Sequence, residues 1–245
     1  MRILYGMNPV RELLRAGGEG LSELWLAEGG TRGAAFGDLE QLARQAGAKV
    51  RTAPREKLDR LSGTDRHQGV VAVVADFRYA ELDELLVAED GKPPLLVVLD
   101  GVEDPHNLGA IVRSGLALGA SGIVIPKDRA VGVTPAVAKA SAGAIERARI
   151  ARVVNVAKTL DLLKQKGVWS VALAADGERP LGEVDLSGPI AIVLGSEAEG
   201  IRPLVRKTCD FGARIPMSGS IDSLSVSAAA AVALYEAARQ RARAR

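Results

Sequence analysis

The chain has 245 residues, of which 47% are hydrophobic, and its formal net charge at pH 7 is +2. This length allows one large domain or two smaller ones with a core that needs no covalent cross-links. The single cysteine, Cys209, excludes an internal disulfide and a metal site built from several cysteines, and the 3% aromatic content argues against the stacking platforms of single-strand-binding proteins.

The sequence shows no pattern of a secretory signal or a membrane span. The first ten residues, "MRILYGMNPV", have no apolar core of a secretory signal. No apolar run approaches the roughly 18 residues that a membrane span needs. We therefore expect a protein of the reducing cytoplasm, with no membrane partner. The C-terminal "ARQRARAR" has two open interpretations, a solvated helix end or a tail that contacts phosphates.

Helix and strand patterns alternate through the first third of the chain. Asn8 and Pro9 open a predicted helix over residues 8–17. The elements that follow are strands over 21–28, 49–53 and 69–77 and helices over 36–47 and 54–63. We expect a small α/β domain over residues 1–77, followed by an acidic linker over residues 78–94 with one or two helical turns.

The alternation restarts with "LLVVLD", a continuous apolar strand of the kind found inside parallel sheets. Strands are predicted over 95–100, 122–126, 148–154, 169–175, 189–196 and 211–217, and helices over 107–119, 134–146, 156–167, 202–209 and 223–245. Residues 95–245 are therefore predicted to form an α/β domain with a mostly parallel sheet, in which ligands bind beyond the carboxyl ends of the strands.

Three predicted strands end in polar motifs at that edge. After the first, "DPHNLGAIVRSG" places Asn107 as the cap of a helix, and Arg113 lies inside an otherwise apolar helix. A cation early in a helix opposes the helix dipole, which favours a functional role for Arg113. Asn107 and Arg113 can reach the same volume at the mouth of that helix.

The other two motifs are rich in small and hydroxylic residues. In "IVLGSEAEGI" a strand runs into Gly195, Glu197 and Gly200, where small residues allow a ligand to approach the backbone. The simpler interpretation is a plain turn with Glu197 bonded to first-turn amides of a helix. In "IPMSGSIDSLSVS" a strand ends at Met217, a loop follows, and Ser223 begins a helix.

Several other chemistries fit the sequence poorly. The "LLVVLD" strand is not followed by G-x-G-x-x-G, which disfavours a nucleotide-dependent dehydrogenase. His106 is interpreted as a loop residue because no G-x-S-x-G elbow accompanies it. Cys209 is interpreted as a small hydrophobic residue and not as a nucleophile.

Together, "DPHNLGAIVRS", "IVLGSEAEGI" and "IPMSGSIDSLSVSAAAAVALYE" resemble the three motifs of the SpoU/TrmH family of RNA ribose 2′-O-methyltransferases, in the knotted SPOUT superfamily. "YGMNPVRELL" and "RHQGVVAVV" resemble the substrate-binding domain of the branch that modifies a guanosine of large-subunit (23S) ribosomal RNA. The resemblance implies an RNA-binding domain over residues 1–77, a trefoil-knotted domain over residues 95–245, a homodimer with its site at the subunit boundary, and no metal.

The resemblance also implies a cofactor, S-adenosylmethionine, and a set of site residues. The implied cofactor-binding residues are Leu194, Gly195, Gly200, Ile215, Pro216, Met217 and Leu224. The implied catalytic positions are Asn107, Arg113, Glu197, Ser223 and Ser225. At the last of these the family usually has Asn, in "SLNVS", where this chain reads "SLSVS". Two alternatives stay open: a sister enzyme that acts on transfer RNA or another ribosomal nucleotide, and an RNA-binding relative without catalysis.

Overall fold

The computed structural model describes residues 1–29, 34–87, 91–219 and 223–243. Parts of the predicted linker (88–90), of the predicted loop after Met217 (220–222) and of the predicted terminal helix (244–245) lie outside the described residues. The chain divides into two compact units. One contains Met1–Arg78 and Val133–Arg147, and the other contains Tyr79–Gly132 and Ala148–Arg245.

The first unit is built on a four-stranded sheet. Its strands are β1 (Arg2–Tyr5), β2 (Leu21–Ala27), β3 (Lys49–Ala53) and β4 (Val70–Val74), and its first helices are α1 (Met7–Arg15), α2 (Ala34–Gln45) and α3 (Arg55–Ser62). The strand order is β1-β4-β2-β3, in which β4 runs antiparallel to both neighbours and β2 and β3 are parallel. One face buries Trp25, Leu58 and Val71 in a cluster to which α3 contributes, and this burial fixes the register of the strands.

The predicted helix over residues 134–146 is wrong as a single element. The structure has the short helix α5 (Pro135–Ala140) and then a 3-10 helix, Ala144–Arg147. Between them Ala142 and Gly143 have φ angles of 52° and 89°, which a right-handed helix does not allow. Nη1 of Arg2 donates to Oε1 of Glu146 over 2.8 Å, and both side chains are largely buried. This ion pair helps to place Val133–Arg147 in the first unit.

The second unit is built on a parallel sheet. Its strands are β5 (Leu95–Asp100), β6 (Gly122–Pro126), β7 (Ile150–Val153), β8 (Trp169–Leu173), β9 (Arg179–Pro180), β10 (Ile190–Gly195) and β11 (Phe211–Arg214). Their order is β7-β6-β5-β10-β8-β11-β9, and all of these pairs are parallel. The helices are α4 (Pro105–Ala117), α6 (Val156–Gln165), α7 (Pro203–Thr208) and α8 (Val226–Arg243). This architecture confirms the predicted α/β class with a mostly parallel sheet.

Part of the predicted linker belongs to the core of the second unit. Residues Leu82–Leu86 form a 3-10 helix, and Leu85 is fully buried. A Cβ atom on Gly122 would lie 2.2 Å from Cγ of Leu85, so the glycine at the start of β6 makes room for this leucine. Among the described helices, none is both long and apolar enough to cross a membrane.

Candidate active site

The first motif follows β5 and opens α4. The cap of α4 is Asp104, whose carboxylate accepts a hydrogen bond from the backbone of His106 over 2.8 Å, and Pro105 occupies the first turn. The prediction that Asn107 caps this helix is therefore wrong, because Asn107 lies inside the first turn. His106 lies in the first turn of α4, so the interpretation of it as a loop residue is wrong. Its side chain is exposed.

The second motif forms a tight turn after β10. A Cβ atom on Gly195 would lie 1.9 Å from the backbone carbon of Gly200, so only glycine allows this approach. The backbone N–H of Gly200 donates to the carbonyl of Ser196 over 2.9 Å, and the N–H of Glu199 donates to Oγ of Ser196 over 3.1 Å. The turn holds Glu197 at the carboxyl end of the sheet.

An ion pair fixes the far end of this turn. Asp100, at the end of β5, is buried and pairs in register with Gly195. Its carboxylate accepts hydrogen bonds from the backbone N–H of Arg202 over 2.9 Å and from Nε of Arg202 over 2.8 Å. Hydrogen bonding to Asp100 raises the pKa of Arg202 above its ordinary value. Both ends of the turn are thus attached to the end of the same strand.

The third motif leads into α8. The helix begins at Val226 and not at the predicted Ser223. Oγ of Ser225 accepts a hydrogen bond from the backbone N–H of Ala228 over 3.3 Å, and its carbonyl accepts one from Ala229 over 2.9 Å. Ser225 therefore occupies the capping position of α8. The predicted strand over 211–217 also ends early, at Arg214, so Ile215, Pro216 and Met217 lie beyond it.

Hydrogen bonds join the three motifs at one point. Oε1 of Glu197 accepts hydrogen bonds from Nδ2 of Asn107 over 3.2 Å and from the backbone N–H of Val226 over 3.3 Å. Ser227 donates from Oγ to Oδ1 of Asn107 over 2.9 Å and lies 3.2 Å from Oγ of Ser225. The simpler interpretation, in which Glu197 bonds first-turn amides of the next helix, is wrong, because the backbone N–H that it accepts from is that of Val226 at the start of α8. Ser227 was not among the predicted site residues.

A cavity of about 660 Å³ lies beside this network. Six of the predicted cofactor-binding residues line it, namely Leu194, Gly195, Gly200, Ile215, Met217 and Leu224. Glu197, Ser223 and Ser225 also line it. Asn107 does not line it but donates a hydrogen bond to Glu197, which does. The wall combines apolar side chains with carboxylates, hydroxyls and closely approachable backbone.

Three predicted site residues, Asn107, Arg113 and Pro216, do not line the described cavity. Pro216 lies between two lining residues without lining the cavity itself. Arg113 is exposed on α4 and does not line the cavity. Six positions along a helix carry a residue about 9 Å along the axis and roughly 120° around it, so Asn107 and Arg113 lie on different faces of α4.

The cavity wall also contains charged residues that the sequence did not single out. Asp176 follows β8, Arg206 lies on α7, and Glu199 lies in the turn after β10. A polar "ADG" segment directly after a buried parallel strand was the available signal for Asp176, because ligands bind beyond such strand ends.

The residues present fit S-adenosylmethionine. An adenine ring needs an apolar slot with backbone polar groups at its edge, and Leu194, Ile215 and Leu224 supply apolar surface in this cavity. Gly195 and Gly200 both line the cavity, so backbone groups as well as side chains form this part of its wall. Side-chain carboxylates such as Glu197 provide acceptors for hydroxyl and ammonium groups.

Neither metal nor thiol chemistry has a built site in the described part of the chain. No group of three or more His, Cys, Asp or Glu residues there is arranged to hold a metal ion. Burial raises the pKa of Cys209 to about 12, and its Sγ donates to the carbonyl of Val205 over 3.3 Å. The neutral thiol is a poor nucleophile, in agreement with its interpretation as a small hydrophobic residue.

Two family profiles match the chain. The SpoU rRNA Methylase family matches residues 94–235, and the RNA 2′-O ribose methyltransferase substrate binding family matches residues 3–80. The chain is 46% identical to the 23S rRNA (guanosine-2′-O-)-methyltransferase RlmB of Ralstonia nicotianae, over 98% of this chain and 96% of the relative. It is 44% identical to RlmB of Xylella fastidiosa (strain 9a5c), over 97% and 96%.

Solved structures share the fold over nearly the whole chain. The SpoU methyltransferase AviRb from Streptomyces viridochromogenes, in complex with the cofactor AdoMet, superposes with a TM-score of 0.83 at 27% identity, over 98% of this chain and 90% of that one. An AdoMet-bound rRNA methyltransferase from Sinorhizobium meliloti superposes with a TM-score of 0.79 at 25% identity, over 97% and 87%.

Proposed function

The chain belongs to the SpoU rRNA methylase family, and we propose that it transfers a methyl group from S-adenosylmethionine to the ribose 2′-hydroxyl of a guanosine in 23S ribosomal RNA. The observation that carries this proposal is the hydrogen-bond network in which Asn107, Glu197 and Ser227 join all three motifs beside a cavity that fits the cofactor.

The chain's own residues would bind and orient the reactants. The cofactor would lie against Leu194, Ile215 and Leu224, and its sulfonium supplies an already activated methyl group. Glu197 and Asn107 hold the turn after β10 and the start of α8 in fixed positions, so that the cavity is preorganised. No side chain has to move for the apolar slot to exist.

Arg113 is proposed to act on the ribose and its phosphate. A neutral 2′-hydroxyl must lose its proton during attack, and a positioned base contributes about 10²–10⁴-fold to such a step. A guanidinium stays protonated, so Arg113 is best suited to bind the phosphate and orient the ribose, and the proton of the 2′-hydroxyl would leave to an RNA phosphate oxygen or to water.

The site is proposed to be completed in a homodimer. Within one chain Arg113 is exposed on α4, which packs against α8, and it does not line the cavity. A second copy docked on α4 and α8 would bring the guanidinium of one chain toward the cavity of the other. The exposed apolar side chains of Leu116, Val232 and Tyr235 on these helices support such a contact.

We further propose that residues 1–77 bind the RNA substrate, that residues 78–94 link them to a catalytic domain over residues 95–245, and that the protein works in the cytoplasm. Within the catalytic domain the last strand and helix are expected to pass through the preceding loop as a trefoil knot. The sheet order supports this path, because β11 is inserted between β8 and β9 and does not extend the edge.

The test is methyl transfer from tritium-labelled S-adenosylmethionine to 23S ribosomal RNA transcripts, with transfer RNA as a second substrate and the modified nucleotide mapped. We expect labelling of one guanosine ribose in 23S RNA. We expect Arg113→Ala to lower the rate by about a hundredfold, the cost of losing the orientation of the ribose, without changing cofactor affinity, since Arg113 does not line the cavity.

Lys158→Ala is the matched control, because Lys158 is an exposed cation on α6 away from the three motifs. A wild-type rate in Arg113→Ala would contradict the role of Arg113. Labelling of transfer RNA alone would replace the proposed substrate by that of a sister enzyme.

A further inference from the structure

An ion pair that is not part of the hydrogen-bond network lines the same cavity. Nη1 of Arg206, on α7, donates to Oδ2 of Asp176, in the loop after β8, over 2.8 Å. Both residues line the cavity, and their side chains remain 41% and 72% exposed. Such an exposed pair contributes little to stability, so its presence at this place is not explained by folding alone.

The loop that carries Asp176 is held rigidly. The backbone N–H of Gly177 donates to the carbonyl of Ala174 over 3.0 Å and closes a turn. A Cβ atom on Gly177 would lie 2.1 Å from the carbonyl oxygen of Ala213, so the loop crosses β11 at a distance that only glycine allows. Nη1 of Arg214 donates to the carbonyl of Gly177 over 2.8 Å. The carboxylate of Asp176 is thus presented from a fixed backbone.

Arg206 is also anchored through its backbone. Its N–H donates to the carbonyl of Arg202 over 2.9 Å, and Arg202 is itself bonded to the buried Asp100. The hydrogen bond between the two partners raises the pKa of Arg206 and lowers that of Asp176, so both carry full charge at neutral pH. Arg206 is the one cation among the described residues that line the cavity.

One end of the cofactor carries a positive and a negative charge, and a binding site for it needs a partner of opposite sign for each. Its methionyl portion ends in an α-ammonium and an α-carboxylate, whereas its adenosine portion is neutral. Because a guanidinium has five N–H donors, Arg206 can keep its bond to Asp176 and still bind a second carboxylate. Asp176 in turn can accept from an ammonium group.

We propose that Arg206 and Asp176 form the subsite for the α-amino-acid end of S-adenosylmethionine, with Arg206 on the carboxylate and Asp176 on the ammonium group. This inference rests on the proposed function for the identity of the ligand. It makes the pair responsible for discrimination between nucleosides with and without the amino-acid end, while the apolar wall recognises adenosine.

The test compares two thioether nucleosides by calorimetry. S-adenosylhomocysteine carries the amino-acid end, and 5′-methylthioadenosine lacks it. We expect the wild-type protein to prefer S-adenosylhomocysteine. Arg206→Gln should weaken binding of S-adenosylhomocysteine by about tenfold, the value of one charge-assisted hydrogen bond, and leave 5′-methylthioadenosine unchanged. Asp176→Asn should act in the same direction.

Lys207→Gln is the matched control, since Lys207 is the neighbouring exposed cation on α7 and does not line the cavity. Equal weakening of both nucleosides by Arg206→Gln would mean that Arg206 only shapes the cavity, and no weakening of either would remove it from the site; both results overturn the subsite. If the wild-type protein binds neither nucleoside, the proposed function fails, and the subsite with it.

Discussion

At the residue scale, the polar side chains of the three motifs bond to one another before any ligand arrives. Asn107 uses both ends of its amide, donating to Glu197 and accepting from Ser227. Glu197 accepts from two donors on different segments. Loss of one partner would leave the other without its hydrogen bond, which is why these side chains are expected to behave as one unit.

Ser225 has a structural role at the start of α8. Its Oγ caps α8, and Asn and Ser are about equally good caps. We expect Ser225→Asn to retain the stability and methyl-transfer rate of the parent. Ser225→Ala should lower the free energy of unfolding by about 1 kcal/mol. Urea unfolding of both variants, together with the transfer assay, checks this; equal midpoints for the Ala variant and the parent would contradict the cap.

At the scale of an element, the position of α8 is decided near its C-terminus as well as at its start. The guanidinium of Arg241 donates to four carbonyls, those of Leu186, Gly188, Pro93 and Pro94, over 2.6–3.1 Å. Burial lowers the pKa of Arg241. This arginine is therefore neither solvated nor a phosphate contact, because it attaches the helix to the segments that precede β5 and β10.

Removal of this attachment should destabilise the second unit. Arg241→Ala leaves several carbonyls without their donor, and we expect it to lower the free energy of unfolding by about 2 kcal/mol. Arg243→Ala, at the exposed end of α8 two residues further along, should change it by less than about 0.5 kcal/mol. Urea unfolding followed by circular dichroism measures both, and equal effects would show that only charge matters.

At the scale of the whole molecule, the proposed dimer is what would unite Arg113 with a cavity. Tyr235, on α8, is 61% exposed although it is a large aromatic side chain. Val232 and Leu116 are exposed on the same pair of helices. A monomeric enzyme would have little reason to expose this surface beside residues of its candidate site.

Tyr235→Asp should therefore convert a dimer to a monomer and abolish methyl transfer, because a desolvated carboxylate opposes the contact. The thermal midpoint of each chain should change little, since Tyr235 packs against little of its own chain. Light scattering after size exclusion gives the mass. Leu162→Asp, at a 47% exposed position on α6, is the control and should remain dimeric. A monomeric parent protein would refute the dimer.

The sequence by itself determined the α/β class, the parallel sheet and the three motifs, because apolar strand runs and glycine-bearing strand ends are local signals. Through the resemblance it also identified nine of the 19 described residues that line the cavity. Only the tertiary structure decided which side chains meet. Asn107 caps nothing, Arg113 faces outward, and Asp176 meets Arg206 across 30 positions of sequence. Such contacts depend on how segments far apart in the sequence pack against each other, and no local sequence pattern encodes that packing.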